Sequence, residues 1–270
     1  MLELRGRKLA VIERGRGDPL VYLHGFADVH GVAADLQPFH ARLAEVARVI
    51  APAHPGCAGG DELGDGYGID DVVFHYLELF DALGLEQFDL VGHCVGGWIA
   101  AELAVRHPQR VRRLVLIGAS GLFVPGEPIG DLFLHAQPER GVELTTLRRL
   151  LFADAQAPAG LRFFSDGRGD IEEEMRRYQM LRFGSFVGFK PPYFYNRALT
   201  ARLYRAAMPA LVLWGEHDRM IARAHGEAYV AGLPGARALT LVKGAGHAAP
   251  LEQPEPAAQT VIDFLEDRGA

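Results

Sequence analysis

The 270-residue sequence contains no long hydrophobic run. Its apolar stretches, such as 114–117 and 210–214, stop after a few residues, far short of the ~20 that a membrane-spanning helix needs. Cysteine is scarce: Cys57 and Cys94 are the only two, too few for the dense disulfide framework of a small secreted domain. Excess positive charge is missing as well, with 28 Lys and Arg against 34 Asp and Glu and a formal net charge of -6. That balance supplies no cationic field for a phosphate backbone, so nucleic-acid partners are not expected. The first residues carry Glu3, Arg5, Arg7 and Lys8 where a secretory signal would carry an apolar core, which points to a cytoplasmic location. The phosphate and dinucleotide motifs G-x-x-x-x-G-K-[ST] and G-x-G-x-x-G are absent, and no spacing such as H-E-x-x-H suggests metal ligands. Neither a cofactor nor a metal is expected.

What is present is 49% hydrophobic residues distributed in short runs, in a chain long enough for one large domain or one domain with an insertion. Strand-like runs fall at 20–23, 48–51, 88–91, 114–117, 210–214 and 239–242, and residues 2–5 and 9–13 read as an antiparallel edge hairpin. Between them lie helical patterns at about 32–47, 69–83, 96–106, 222–231 and 255–268. Such alternation predicts a largely parallel sheet covered by helices. It breaks over 122–206, where no strand-like run appears and the helices look short and irregular. This window holds nine of the fifteen Phe and four of the eight Tyr, more than a polar linker carries. It reads as a helical insertion with its own apolar face, whose rings also suit a pocket lining at a domain interface. The division is therefore 1–121 and 207–270 for the core and 122–206 for the cap, with Phe123, Phe183 and Phe186 as candidate pocket residues beside His24 and His93.

The segment Phe88-Asp89-Leu90-Val91-Gly92-His93-Cys94-Val95-Gly96-Gly97-Trp98 places a strand, a sharp turn and a helix in succession. Its flanking glycines permit the tight geometry that pushes a central side chain outward. This is the G-x-S-x-G elbow with sulfur in place of oxygen, and here the sequence resembles the α/β-hydrolase superfamily over essentially its whole length. The resemblance implies the α/β-hydrolase fold: a mostly parallel central sheet flanked by helices, with a helical cap. His24-Gly25-Phe26 resembles the family's oxyanion loop, which assigns the backbone N–H groups of Phe26 and Val95 as oxyanion donors. Leu213-Trp214-Gly215-Glu216-His217-Asp218 resembles the acid motif, and Gly244-Ala245-Gly246-His247 the histidine motif. The order Cys94, Asp218, His247 is then nucleophile, acid, base. Glu216 competes with Asp218 for the acid role, and Gly118-Ala119-Ser120 leaves empty the alternative acid position that some relatives use.

Sulfur changes the chemistry. A thiol beside a histidine ionises more readily than a hydroxyl, but a thiolate also leaves a tetrahedral adduct more readily than an alkoxide. Thioesters, activated or enol esters and lactones with stabilised leaving groups escape that reversal, and the aromatic insertion favours a small-molecule substrate with a medium or bulky apolar acyl group. The implied activity is cofactor-independent acyl hydrolysis through an acyl-thioester. Three alternatives stay open: acyl transfer from the same intermediate, a serine-type esterase carrying a Ser-to-Cys replacement, and a non-catalytic binding protein for a small ligand. Within the family a natural Cys at the elbow resembles the dienelactone hydrolases, whereas the aromatic insertion looks more like the lids of esterases, thioesterases and carbon–carbon bond hydrolases. The sequence departs from the family in the loop 52–57, where Pro52-Ala53-His54-Pro55-Gly56-Cys57 replaces an Asp and an aromatic, and after the acid, where Met220-Ile221-Ala222 lacks the usual proline. Cys57 reads as a small buried side chain.

Overall fold

The computed structural model describes residues 1–129, 144–165, 170–188 and 193–267. A two-stranded hairpin, β1 (Leu2–Leu4) and β2 (Arg7–Leu9), opens the chain. It closes earlier than the sequence pattern predicts, because Arg5 (φ 51°) and Gly6 (φ 79°) both take the positive φ of a tight two-residue turn. Residues 11–14 are thereby released to become the edge strand β3 (Val11–Arg14) of the main sheet. That sheet continues with β4 (Pro19–Leu23), β5 (Arg48–Pro52), β6 (Phe88–His93), β7 (Val111–Ile117), β8 (Ala210–Gly215) and β9 (Ala236–Val242), in the order β3-β5-β4-β6-β7-β8-β9. Among the described strands of this sheet only β3 is antiparallel to its neighbour; β5 through β9 pair in parallel.

Alternation along the strands divides the core in two. Leu20 and Tyr22 of β4 join Val49, Val91, Val115 and Leu213 beneath Phe39 and Leu43 of α1 (Pro38–Val46) and Val261 of the C-terminal helix at Pro254–Glu266. Val21 and Leu23 face the opposite way, with Leu90, Leu114 and Val212, beneath Val72 and Leu79 of α2 (Ile69–Ala82) and Ile99 and Leu103 of α3 (Val95–Arg106). Because both faces are covered, the central strands read as continuous apolar runs rather than as alternating ones. Each fully buried Leu or Val contributes about 1.5–3 kcal/mol.

The helix expected from residue 32 begins only at Pro38, whose fixed φ suits a first helical position. The preceding residues are held in turns instead, with the amides of Gly31 and Val32 both donating to the Asp28 carbonyl. Between β7 and β8 come α4 (Leu144–Leu151), α5 (Pro158–Phe163) and α6 (Ile171–Gly188). At 18 residues α6 is neither short nor irregular, correcting that expectation; its buried positions include Met180, Phe183 and Val187. Phe133 and Phe189, counted among the insertion's aromatics, lie outside the described residues. The chain ends with α7 (Arg223–Gly232), α8 (Ala249–Glu252) and α9 (Pro254–Glu266). No helix among the described residues is long and apolar enough to cross a membrane.

Candidate active site

Cys94 sits between the end of β6 and the start of α3 at φ 56° and ψ -120°, a positive-φ conformation unusual for a residue with a side chain. Main-chain hydrogen bonds hold it there. Its amide donates to the Ile117 carbonyl at 3.0 Å, and its carbonyl accepts from the amides of Trp98 at 3.2 Å and Ser120 at 3.1 Å. The turn also needs room: a Cβ on Gly96 would lie 2.1 Å from the Leu23 carbonyl oxygen, so only glycine lets α3 approach β4 this closely. Cys94 is itself buried, and both cysteines are free thiols. Burial raises the Cys57 thiol far above the ordinary thiol range, with Glu62 adding to the effect.

Loops at the ends of β8 and β9 bring Asp218 and His247 together, His247 Nδ1 lying 2.8 Å from Asp218 Oδ2. The other carboxylate oxygen accepts from the amides of Met220 and Ile221, each at 2.9 Å, which fixes the carboxylate's orientation. Glu216 is turned elsewhere, its Oε2 accepting from the Gly244 amide at 3.0 Å. Burial alone would disfavour a charged His247, but the Asp218 carboxylate foremost, with Cys94 beside it, pushes its pKa up to about 10. The ring's Nε2 is buried without a partner of ordinary hydrogen-bond geometry among the described residues. Gly118 (φ 48°) faces this pair: a Cβ there would lie 3.3 Å from both Asp218 Oδ2 and His247 Nδ1.

The 24–26 loop packs against the elbow, since a Cβ on Gly25 would lie 2.7 Å from Cys94 Cβ. Phe26 follows it, its ring 5.9 Å from that of Phe164 at the end of α5. Val95 opens α3, directly after Cys94. His24 and His93 are fully buried and tied into the protein: His24 Nε2 accepts from the His54 amide at 3.0 Å, and His93 lies between Asp28 and the His247 carbonyl. Phe183 stacks on His54 with ring centroids 4.3 Å apart, and Phe186 packs on Tyr67 at 4.8 Å. Of these five proposed pocket residues only Phe123 lines one of the described cavities, a space of about 550 Å³ bounded also by Leu122, Ile129, Tyr195 and His225. Sequence reasoning missed Asp28 and His54, whose contacts with His93 and His24 join residues 65 and 30 positions apart; an acid shortly after His24-Gly25-Phe26 was the available signal for Asp28. No group of His, Cys, Asp and Glu among the described residues is arranged to hold a metal ion.

An elbow on a parallel sheet, with a buried histidine–carboxylate pair at the ends of later strands, defines an enzyme of the hydrolase class. The chain belongs to the alpha/beta hydrolase fold family, whose model matches residues 18–254. It is 31% identical over 280 residues to a 2-hydroxymuconate semialdehyde hydrolase of Pseudomonas putida, covering 98% of this chain and 93% of that one. Its fold resembles that of a meta-cleavage product hydrolase from Pseudomonas fluorescens IP01 solved as a point mutant complexed with acetates, with a TM-score of 0.74, 22% identity and coverage of 97% and 95%. An enol-lactonase from Burkholderia xenovorans LB400 shares the fold to the same degree, at TM-score 0.74 and 20% identity over 98% of both chains.

Proposed function

We propose that this hydrolase acts on acyl compounds without a cofactor, using Cys94 as nucleophile, His247 as general base and then acid, and Asp218 to orient His247. What supports the reading is a strained elbow cysteine together with a buried His247–Asp218 pair, whose histidine feels the influence of Cys94. His247 takes the thiol proton, the sulfur adds to the substrate carbonyl, and the developing oxyanion accepts hydrogen bonds from the amides of Phe26 and Val95. One such donor is worth roughly 2.7–4 kcal/mol in related chemistry. Collapse of the adduct breaks the bond to the leaving group, which receives the proton from His247. Water, deprotonated by His247, then adds to the thioester, and Cys94 departs to release the acid. Because sulfur is itself a good leaving group, the reading favours a thioester, activated ester or lactone, with an apolar acyl part suited to the aromatic insertion.

A second reading is hydrolysis of a carbon–carbon bond, favoured by the 31% identity to the 2-hydroxymuconate semialdehyde hydrolase. A carbon leaving group stabilised as an enolate meets the same requirement. An activated aryl ester mixed with the protein should give a one-to-one covalent adduct by intact-protein mass spectrometry, absent in Cys94→Ala. Undiminished turnover by Cys94→Ala overturns the nucleophile assignment. Relative kcat/KM on a thioester, a lactone and a dienoate ketone decides between the two readings.

A further inference from the structure

A buried carboxylate outside the Cys94, His247 and Asp218 set bonds the residue that precedes Cys94, and through it reaches the main chain of His247. Asp28 is fully buried in the loop after β4. Its Oδ2 accepts from the Tyr22 hydroxyl at 2.5 Å, the Gly25 amide at 3.3 Å and His93 Nδ1 at 2.9 Å. Its Oδ1 accepts from the Val29 amide at 2.7 Å, and His40 Nε2 lies 3.0 Å away. On the far side of the His93 ring, Nε2 lies 3.0 Å from the main-chain oxygen of His247.

Proton accounting follows from these partners. An ionised carboxylate and a carbonyl oxygen only accept, so both ring nitrogens of His93 face acceptors. Both contacts are made when the ring carries a proton on each nitrogen. His40 differs, because its Nδ1 accepts from the Gln37 amide at 3.2 Å and one proton, on Nε2, suffices. Burial opposes ionisation of Asp28, yet His40 and His93 together hold its carboxyl well below the usual carboxylate range. The Asp28 carboxylate thus sits 2.9 Å from His93 Nδ1 in a site with no exposure, and loss of its partners would leave a buried charge uncompensated.

We propose that Asp28 is a positioning residue: with His93 it forms a buried carboxylate–imidazolium bridge that fixes the Phe26 loop, the Cys94 elbow and the main chain of His247 relative to one another. The proposal rests on the reading of Cys94 and His247 as the reacting pair. Its members are each one step from the chemistry: Gly25 precedes Phe26, His93 precedes Cys94, and the oxygen that His93 holds belongs to His247 itself. A displacement of ~1 Å at such groups costs on the order of 10²-fold in rate, so the bridge acts on the reaction rather than on substrate affinity.

The test combines ¹⁵N histidine spectra of the full chain at neutral pH, with His93 assigned through His93→Asn, and kinetics of Asp28→Asn normalised to the fraction of Cys94 that an activated ester acylates. The wild-type His93 ring should show two N–H nitrogens and lose one in Asp28→Asn. The variant's kcat per acylatable site should fall about 100-fold while KM moves by less than about threefold. A purely structural Asp28 would lower the denaturation midpoint and leave kcat per site unchanged, which would overturn the proposal. So would a wild-type His93 bearing a single N–H, a measurement that still decides the matter if Asp28→Asn fails to fold. Undiminished turnover in Cys94→Ala would remove the nucleophile reading while leaving the His93 spectrum as it was, so the two failures are distinguishable.

Discussion

Cys94 is held in a backbone conformation that costs about 1–3 kcal/mol, and the hydrogen bonds from Trp98 and Ser120 to its carbonyl sustain it. His247 is likewise held against its surroundings: burial favours the neutral ring, and the influence of Asp218, with that of Cys94, outweighs burial to bring its pKa to about 10. A raised pKa means the imidazolium persists through neutral pH and is lost as pH climbs through the folded-state value. If a thiolate–imidazolium pair is the reactive form, the alkaline decline of kcat/KM in the wild type lies near pH 10. Asp218→Asn removes the largest of the raising influences, so that decline should move to lower pH, and kcat should drop roughly 10³–10⁴-fold as the ring loses its orientation. Rate profiles from neutral to strongly alkaline pH check both, and an unmoved alkaline limb would contradict the assignment of Asp218. The placement of Cys94 at an elbow and of Asp218 and His247 after β8 and β9 was legible in the sequence because each follows a strand within a short motif. Asp28 and His54 were not, since what marks them is contact with residues from other loops.

Among the elements, α3 shows how sheet and site depend on one another. Glycine in a helix is disfavoured against alanine by about 1 kcal/mol, so propensity alone would have Gly96→Ala stabilise the protein. The new Cβ would instead lie 2.1 Å from the Leu23 oxygen and 2.6 Å from the His24 oxygen, both backbone atoms. Overpacking of that kind costs typically about 1–3 kcal/mol, so the clash exceeds the propensity gain. Gly96→Ala should therefore lower the urea midpoint and, by displacing the chain at His24, the acylation rate; a raised midpoint would show that α3 has slack. The main strands were readable because both faces of the sheet are buried, leaving apolar runs with no competing period. The first hairpin was misplaced because Arg5 adopts positive φ, which no rule of composition assigns to arginine. The start of α1 was set too early because Ala33, Ala34 and Leu36 suit a helix, whereas the amides of Val32, Leu36 and Gln37 bond the Asp28 carbonyl, the Asp35 side chain and His40 Nδ1 instead. The extent of α6 was missed because its first turn, Glu172, Glu173 and Glu174, presents no apolar period.

At the scale of the whole molecule, the histidines set opposite limits on stability. His54 is brought down to about 3 and His75 to about 4 by burial, and His24 and His30 are lowered in the same sense. An unfolded histidine titrates near ~6.5, so between that value and these lowered ones the unfolded chain binds more protons than the folded one. Stability therefore falls as pH drops below ~6.5. His247 acts on the other side: its contribution is fully present below ~6.5 and is lost as pH rises toward about 10. Both arms predict a urea midpoint that is highest near neutral pH and declines in either direction. Each arm has its own variant. His54→Gln, which removes a titrating ring stacked between His24 and Phe183, should lower the midpoint throughout but flatten the acid arm. Asp218→Asn should flatten the alkaline arm alone. Denaturation curves at intervals from pH 4 to pH 10 would separate the two contributions. An acid arm equally steep in His54→Gln would move the source of acid sensitivity to the other buried histidines, His24, His30 and His75. A wild-type midpoint still rising between neutral pH and pH 10 would mean that His247 does not hold its proton in the folded state.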